Sequence, residues 1–153
     1  MGCDIHCYAE KQKDNGAFEC LPFMPFDWRS YGMYGFLADV RNYSAVPPIQ
    51  KPNGFPGDAS RKVRKEFNNW GRDAHSSSWN SVSTLAKFDY DATMEDLRYT
   101  KQIAPNHFDG GATAEPGQGK KTTFREFLGD AYFRDMEKLK ELEADRIVFW
   151  FDN

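Results

Sequence analysis

The chain has 153 residues and a formal net charge of −3 at pH 7, a length that fits one domain and a charge too near neutral to sheathe a nucleic-acid duplex. No apolar run approaches the roughly 20 residues that span a bilayer, which excludes a transmembrane helix. Phe 13, Tyr 7 and Trp 4 outnumber Leu, Ile and Val combined; since each aromatic side chain buries roughly 150–250 Å², a folded core built on aromatics is expected rather than disorder.

In chain order, Cys3–Lys11 alternates apolar and polar residues and predicts a half-buried strand, with Cys3, Ile5, Cys7 and Ala9 on one face and Asp4, His6, Tyr8 and Glu10 on the other. Asp14-Asn15-Gly16 is a turn signal, so Phe18–Leu21 is expected to return as the second strand of a hairpin. Ser30–Arg41 carries Tyr34, Leu37, Ala38 and Arg41 at helical spacing. Pro47–Gly57 is punctuated by proline and glycine and reads as a loop. Asp58–Trp70 predicts a helix capped by Asp58 or Ser60, with Val63, Phe67 and Trp70 on its buried stripe. The Ser-rich stretch to Trp79 reads as a loop, and Ser81–Phe88 as a further short helix. Ala104–Lys121, poor in apolar residues and without period, predicts a long mobile loop. Thr123-Phe-Arg-Glu126 is a capping box opening one long helix that runs to Leu142. Arg146–Phe151 is apolar on both faces, the expected central strand, paired with Cys3–Lys11. The order implies a single α+β domain over 1–153: a small antiparallel sheet, made of the N-terminal hairpin and the C-terminal strand, packed with helices.

The opening MGCDIHCYAEK lacks the apolar segment of a secretory signal. Cys3, Cys7 and Cys20 form no CxxC pair and point to reduced thiols in the cytoplasm. Cys3 and Cys7 stand roughly 13 Å apart along a strand, too far to share a metal. The three histidines fall into no metal-ligand spacing, so neither metal nor other cofactor is expected.

Asp4 and His6, two apart on a strand, leave the same face with Cα atoms about 6.5–7 Å apart. A carboxylate beside an imidazole can hold its tautomer for acid–base work; a solvated polar face is the competing reading. Asp73 and His75 repeat the spacing. Ser76, Ser77 and Ser78 offer hydroxyls, and Trp79 a flat stacking face, or the segment is simply a turn before the next helix. Arg29, Arg41 and Asn42 flank Tyr31-Gly-Met-Tyr-Gly-Phe36, where glycine beside Tyr31 and Tyr34 would admit a planar ligand and arginine a phosphate; most of these aromatics would also serve a core. Arg61, Lys62, Arg64 and Lys65 read as a solvated basic face.

Four separated stretches, MGCDIH at the start, FLADVRN at 36–42, GFPGDASRKVRKEFNNWGRDAHSSSW at 54–79 and VFWFDN at the end, resemble a family of small bacterial and phage proteins that begin MGCDIH and end VFWFDN. The family often has Gly at Ala74 and Pro at Gly57, neither change removing an ionisable group, and the region from about 90 to 145 lies outside the likeness. The resemblance gathers Asp4, His6, Arg41, Asn42, Asp73, His75, Ser78, Trp79, Asp152 and Asn153, and implies a role in the host cytoplasm such as disarming a nucleotide-signalled immune response.

Three functions follow as expectations. The first is a metal-independent hydrolase of a small nucleotide-like phosphate ligand, with His6 and His75 as base and acid, Asp4 and Asp73 orienting them, and Arg41 steadying phosphoryl charge. The second is a sponge that stacks the same ligand on Trp79, Tyr31 and Tyr34 and holds its phosphate with Arg29 and Arg41, helped by Ser78 and Asn42. Such a sponge would be a homo-oligomer joined through the terminal strand and aromatic surface. The third is an inhibitor that binds a host protein.

Overall fold

The computed structural model describes residues 2–98, 102–105, 107–108 and 113–153. Its elements in chain order are β1 (Asp4–Gln12), β2 (Phe18–Cys20), α1 (Tyr31–Ala38), α2 (Arg61–Trp70), a 3-10 turn (Gly71–Asp73), β3 (His75–Ser81), α3 (Val82–Lys87), β4 (Thr93–Asp96), β5 (Gln102–Ala104), β6 (His107–Phe108), β7 (Lys120–Thr123), α4 (Phe124–Leu128), α5 (Asp130–Glu141) and β8 (Arg146–Asp152). The class is α+β, and no helix among the described residues is long and apolar enough to cross a membrane.

The chain forms two compact units, each discontinuous in sequence: Met1–Arg29, Lys51–Phe88 and Asp130–Asn153 make the first, Ser30–Gln50 and Asp89–Gly129 the second. The first holds the four-stranded antiparallel sheet, in the order β2-β1-β8-β3. The predicted hairpin and the central place of the terminal strand are both present. Because β8 pairs on both sides, it has no free edge, and the expected self-association through the terminal strand is closed off by its own neighbours.

Antiparallel partners share a face, so the register sorts the side chains. Asp4, His6, Tyr8 and Glu10 lie opposite Asp152, Trp150, Val148 and Arg146 on one face, which Trp79 joins beside Val148. Val63, Phe67 and Trp70 of α2, with Phe55 and Ala59, pack onto Tyr8, Val148 and Trp150 there. Ser60 caps α2 as expected, its Oγ accepting from Val63 N. The opposite face carries Ile5, Cys7, Ala9, Ile147, Phe149 and Phe151, all buried, and α3 packs on β8 and on α5. Each such aromatic contributes roughly 1.5–3 kcal/mol by leaving water. Burial pushes the Cys7 thiol well above its ordinary pKa and the Tyr8 phenol up to about 12.

A strand and a helix differ from expectation. The Ser-rich stretch before Ser81 is not a loop but the edge strand β3, which carries a β-bulge between His75 and Ser78 with Ser76 in the left-handed region (φ 53°). Polar residues and a bulge erase the period-2 signal. The single helix from Phe124 to Leu142 is two, α4 and α5, because Gly129 adopts φ 83° and its N–H closes α4 on Arg125 O.

In the second unit, β4 pairs with β7 and β5 with β6. The end of β5, all of β6 and the start of β7 fall in the 104–121 segment expected to be a long mobile loop; residues 106 and 109–112 of that segment lie outside the described residues. Helix α1 is buried along nearly its whole length. Its glycines admit the chain's own side chains rather than a ligand: a Cβ at Gly35 would stand 2.4 Å from Asn42 Oδ1, and one at Gly32 2.9 Å from Phe127.

Candidate functional site

Two polar clusters sit on the α2-covered face of the sheet. At the end where β1 begins and β8 finishes, Arg29 grips Asp4 with two bonds, Nε to Oδ1 at 2.9 Å and Nη2 to Oδ2 at 3.0 Å. This hydrogen-bonded guanidinium, reinforced by charge from Arg29 and His6, holds the half-exposed Asp4 carboxyl below the usual carboxylate range. His6 Nε2 lies 2.5 Å from Asp152 Oδ2, and its ring is flanked by Trp70 at 4.2 Å and Trp150 at 6.0 Å. The imidazole's partner is therefore Asp152, not Asp4. The expected Asp4–His6 dyad is replaced because Arg29 occupies the Asp4 carboxylate.

His75 stands opposite Phe151, on the face away from His6, and its ring stacks on Phe151 at 6.2 Å. Its Nδ1 meets Ser76 Oγ at 3.1 Å and its buried Nε2 has no hydrogen-bond partner. Asp73, exposed in the 3-10 turn, makes no hydrogen bond to it among the described residues. His6 and His75 thus leave opposite faces of the sheet, an arrangement that does not bring the two rings together on one phosphate.

The ligand-binding candidates fall in both units. In the second unit Asn42 spends its entire capacity on its own loop: Nδ2 donates to Asp39 Oδ1 and Val46 O, both at 2.8 Å, and Oδ1 accepts from Ser44 Oγ and Val46 N, both at 3.1 Å. An amide offers two donors and two acceptors, so nothing remains for a ligand. Its bonds stabilise a turn in which Asp39, Arg41 and Ala45 all take positive φ. Tyr34 is fully buried; Tyr31 lies 5.7 Å from it and carries Arg41 over its ring at 5.6 Å. In the first unit Ser78 is sealed, its Oγ accepting from Asn53 N at 2.9 Å.

Of the predicted set, Trp79 lines a recess. A cavity of about 560 Å³ is bounded by Trp79, Phe18, Arg146, Asp58, Asp145 and Gln12, with Pro56, Gly57 and Ser81 at its margin, a size in the range of small-molecule sites. Its floor is the second cluster. Glu10, fully buried, accepts from Arg146 Nε at 2.8 Å through Oε1 and from Ser60 N at 2.7 Å through Oε2. Arg146 Nη1 donates to Asp58 Oδ1 at 2.9 Å. Its Nη2 is as close to Glu10 Oε1, at 2.8 Å, but lies off the axis a hydrogen bond needs, so this buried nitrogen stays unbonded. The guanidinium lies 3.5 Å from the Phe18 ring centre and 5.9 Å from that of Trp79, distances at which cation and ring attract.

A second recess, of about 540 Å³, is lined by Ala59, Arg61, Arg64, Lys65, Asn68 and Asn69. The basic run expected to be a plain solvated face thus borders a groove. The recesses adjoin along the 57–59 strap: Gly57 and Asp58 wall the first, Ala59 the second, and Arg64 Nη2 donates to Gly57 O at 2.7 Å.

Sequence reasoning missed Phe18, Asp58, Asp145 and Arg146. Arg146 was the one with a signal, a charge at the head of a strand that is otherwise apolar as far as Phe151, and the β1–β8 register sets it against Glu10. No group of three or more His, Cys, Asp or Glu among the described residues is placed to hold a metal ion. No family model, curated protein or solved structure matches the chain.

Proposed function

We propose that the protein captures a small nucleotide-like phosphate ligand without turning it over, with the base against Trp79 in the cavity and the phosphate in the Arg61–Arg64–Lys65 groove. The observation that carries this is the adjacency of an aromatic cavity and a cationic groove across one strap of chain. Stacking on an indole holds a base of any identity, and guanidinium forks suit phosphate oxygens. Capture is favoured over hydrolysis because the two histidines lie on opposite faces of the sheet. With the sequence resemblance, the reading extends to a counter-defence sponge in the host cytoplasm that withdraws an immune signal.

The test is a thermal-shift and calorimetric screen of mononucleotides and cyclic nucleotides, followed by heat denaturation and chromatography of the released ligand. A ligand that binds the folded state alone raises the melting temperature, and intact ligand is expected in the supernatant. Arg64→Ala and Trp79→Ala should each weaken binding about tenfold or more. New products would sink the non-catalytic reading, and no shift with any nucleotide would sink the whole of it.

A further inference from the structure

The polar atoms of the cavity are unevenly committed. Of its donors, Arg146 Nε and Nη1 are engaged by Glu10 and Asp58, and Arg146 Nη2 is sealed beneath the surface. Ser81 Oγ donates to Thr84 Oγ1 at 2.7 Å and accepts from Thr84 N at 3.0 Å. The acceptors are half spent. Asp58 uses Oδ1 on Arg146, and Asp145 uses Oδ2 on Gln12 N at 2.7 Å. Gln12 uses its amide nitrogen on Gly16 O. Asp58 Oδ2, Asp145 Oδ1 and Gln12 Oε1 have no partner among the described residues, and two of the three are carboxylate oxygens.

We infer that the cavity selects a guanine-type base, stacked on Trp79 with its N1–H and exocyclic amino group donating to the Asp58 and Asp145 carboxylates. The inference rests on the nucleotide reading above and adds the identity of the base. A recess whose spare capacity is anionic acceptors needs a planar partner with adjacent donors. Guanine has two side by side on one edge. Adenine sets an acceptor nitrogen beside its amino group, and uracil flanks its single N–H with two carbonyls that a carboxylate repels. Charge divides the same way: two carboxylates (Asp58, Asp145) and one arginine, itself neutralised from beneath by the buried Glu10, line the cavity, while the groove across the strap is lined by Arg61, Arg64 and Lys65. The base and phosphate ends of a nucleotide match these two signs. The guanidinium fork of free arginine presents the same donors, so it enters the test as a separate arm.

The experiment is calorimetric titration of the full chain with GMP, IMP, AMP, ribose 5-phosphate and L-arginine, repeated on Asp145→Asn and Asp58→Asn, with melting temperature as the control for folding. GMP should bind at least about tenfold more tightly than AMP, since a paired donor–acceptor contact discriminates by that order, with IMP, which lacks the amino group, in between. Asp145→Asn keeps an oxygen for Gln12 N and should narrow the GMP to AMP ratio below about threefold. Equal binding of GMP and AMP, or a ratio unchanged in both variants, overturns the guanine assignment while leaving the nucleotide reading standing. Displacement of GMP by arginine at lower concentration than by GMP itself assigns the cavity to guanidinium and overturns it too. If no nucleotide binds, both fall together.

Discussion

At one end of the β1–β8 ladder Glu10 stands opposite Arg146, and at the other Asp4 stands opposite Asp152. The first is a pair of opposite charges, and the fold seals it: Glu10 is fully buried and only 7% of the Arg146 side chain is exposed. The second is a pair of like charges, which repel when set directly across a ladder. Each therefore takes a cation or imidazole from its surroundings, Arg29 for Asp4 and His6 for Asp152, and the cluster stays partly open to water. The contrast shows why one end builds structure and the other keeps accessible ionisable groups. Sealing Glu10 fixes Ser60 N and, through Arg146, Asp58, so the strap that walls the cavity is held by a buried charge.

Breaking the sealed end should cost most. Arg146→Met leaves Glu10 buried without its counter-charge and should lower stability by about 3–5 kcal/mol in denaturant unfolding. The double variant Glu10→Leu/Arg146→Met should recover most of that loss, since an apolar pair of similar size replaces a buried ion pair at little cost. A double variant as unstable as the single one would show that the pair's geometry, not its charge balance, holds the strap.

His6→Ala comes next. It removes the partner of Asp152 and the ring between Trp70 and Trp150, for an expected loss of about 1–3 kcal/mol. Adding Asp152→Asn to it should return part of the loss if like-charge repulsion with Asp4 is the cause.

The smallest effect is that of Asp4→Asn, and pH gives its sign. The folded-state pKa of Asp4 is depressed below the ordinary 3.8, so its pairing with Arg29 stabilises above that value and is lost as pH falls through the lower folded value. Wild type and Asp4→Asn should melt together in strong acid and separate slightly near neutrality, and 1 M salt should close the gap because the pair is exposed. A gap that widens in acid would reverse the assignment.

How much of this was legible from residues alone depended on how local the signal was. The hairpin, a cap at Asp58 or Ser60 and the Val63–Phe67–Trp70 stripe are written in neighbours, and the structure has the hairpin, the stripe and, of the two caps, Ser60. The strand β3 was missed because an edge strand of serines, bulged at Ser76, has no buried alternate face to announce itself. The break at Gly129 was missed because the capping box and the apolar period continue across it. The site was less legible still. Glu10 and Arg146 are 136 positions apart, His6 and Asp152 146 apart, and such pairs exist only once the sheet's register is known. Asp4-x-His6 and Asp73-x-His75 look alike in sequence, yet the first lies within a strand and the second enters one from a turn, on the opposite face.

The bonds that close the outer rim of β3 carry a further consequence. Gly54 N donates to Ser77 O, Asn53 N to Ser78 Oγ and Asn53 Nδ2 to Trp79 O, so a strip of chain lies where a stray strand would otherwise dock, the place where sheets invite aggregation. That strip runs directly into Pro56, Gly57 and Asp58 of the cavity wall. If the proposed capture holds, a ligand in the cavity would brace that strip over the sheet's edge, and a saturated protein should then resist fibril growth and keep longer in concentrated solution than an empty one.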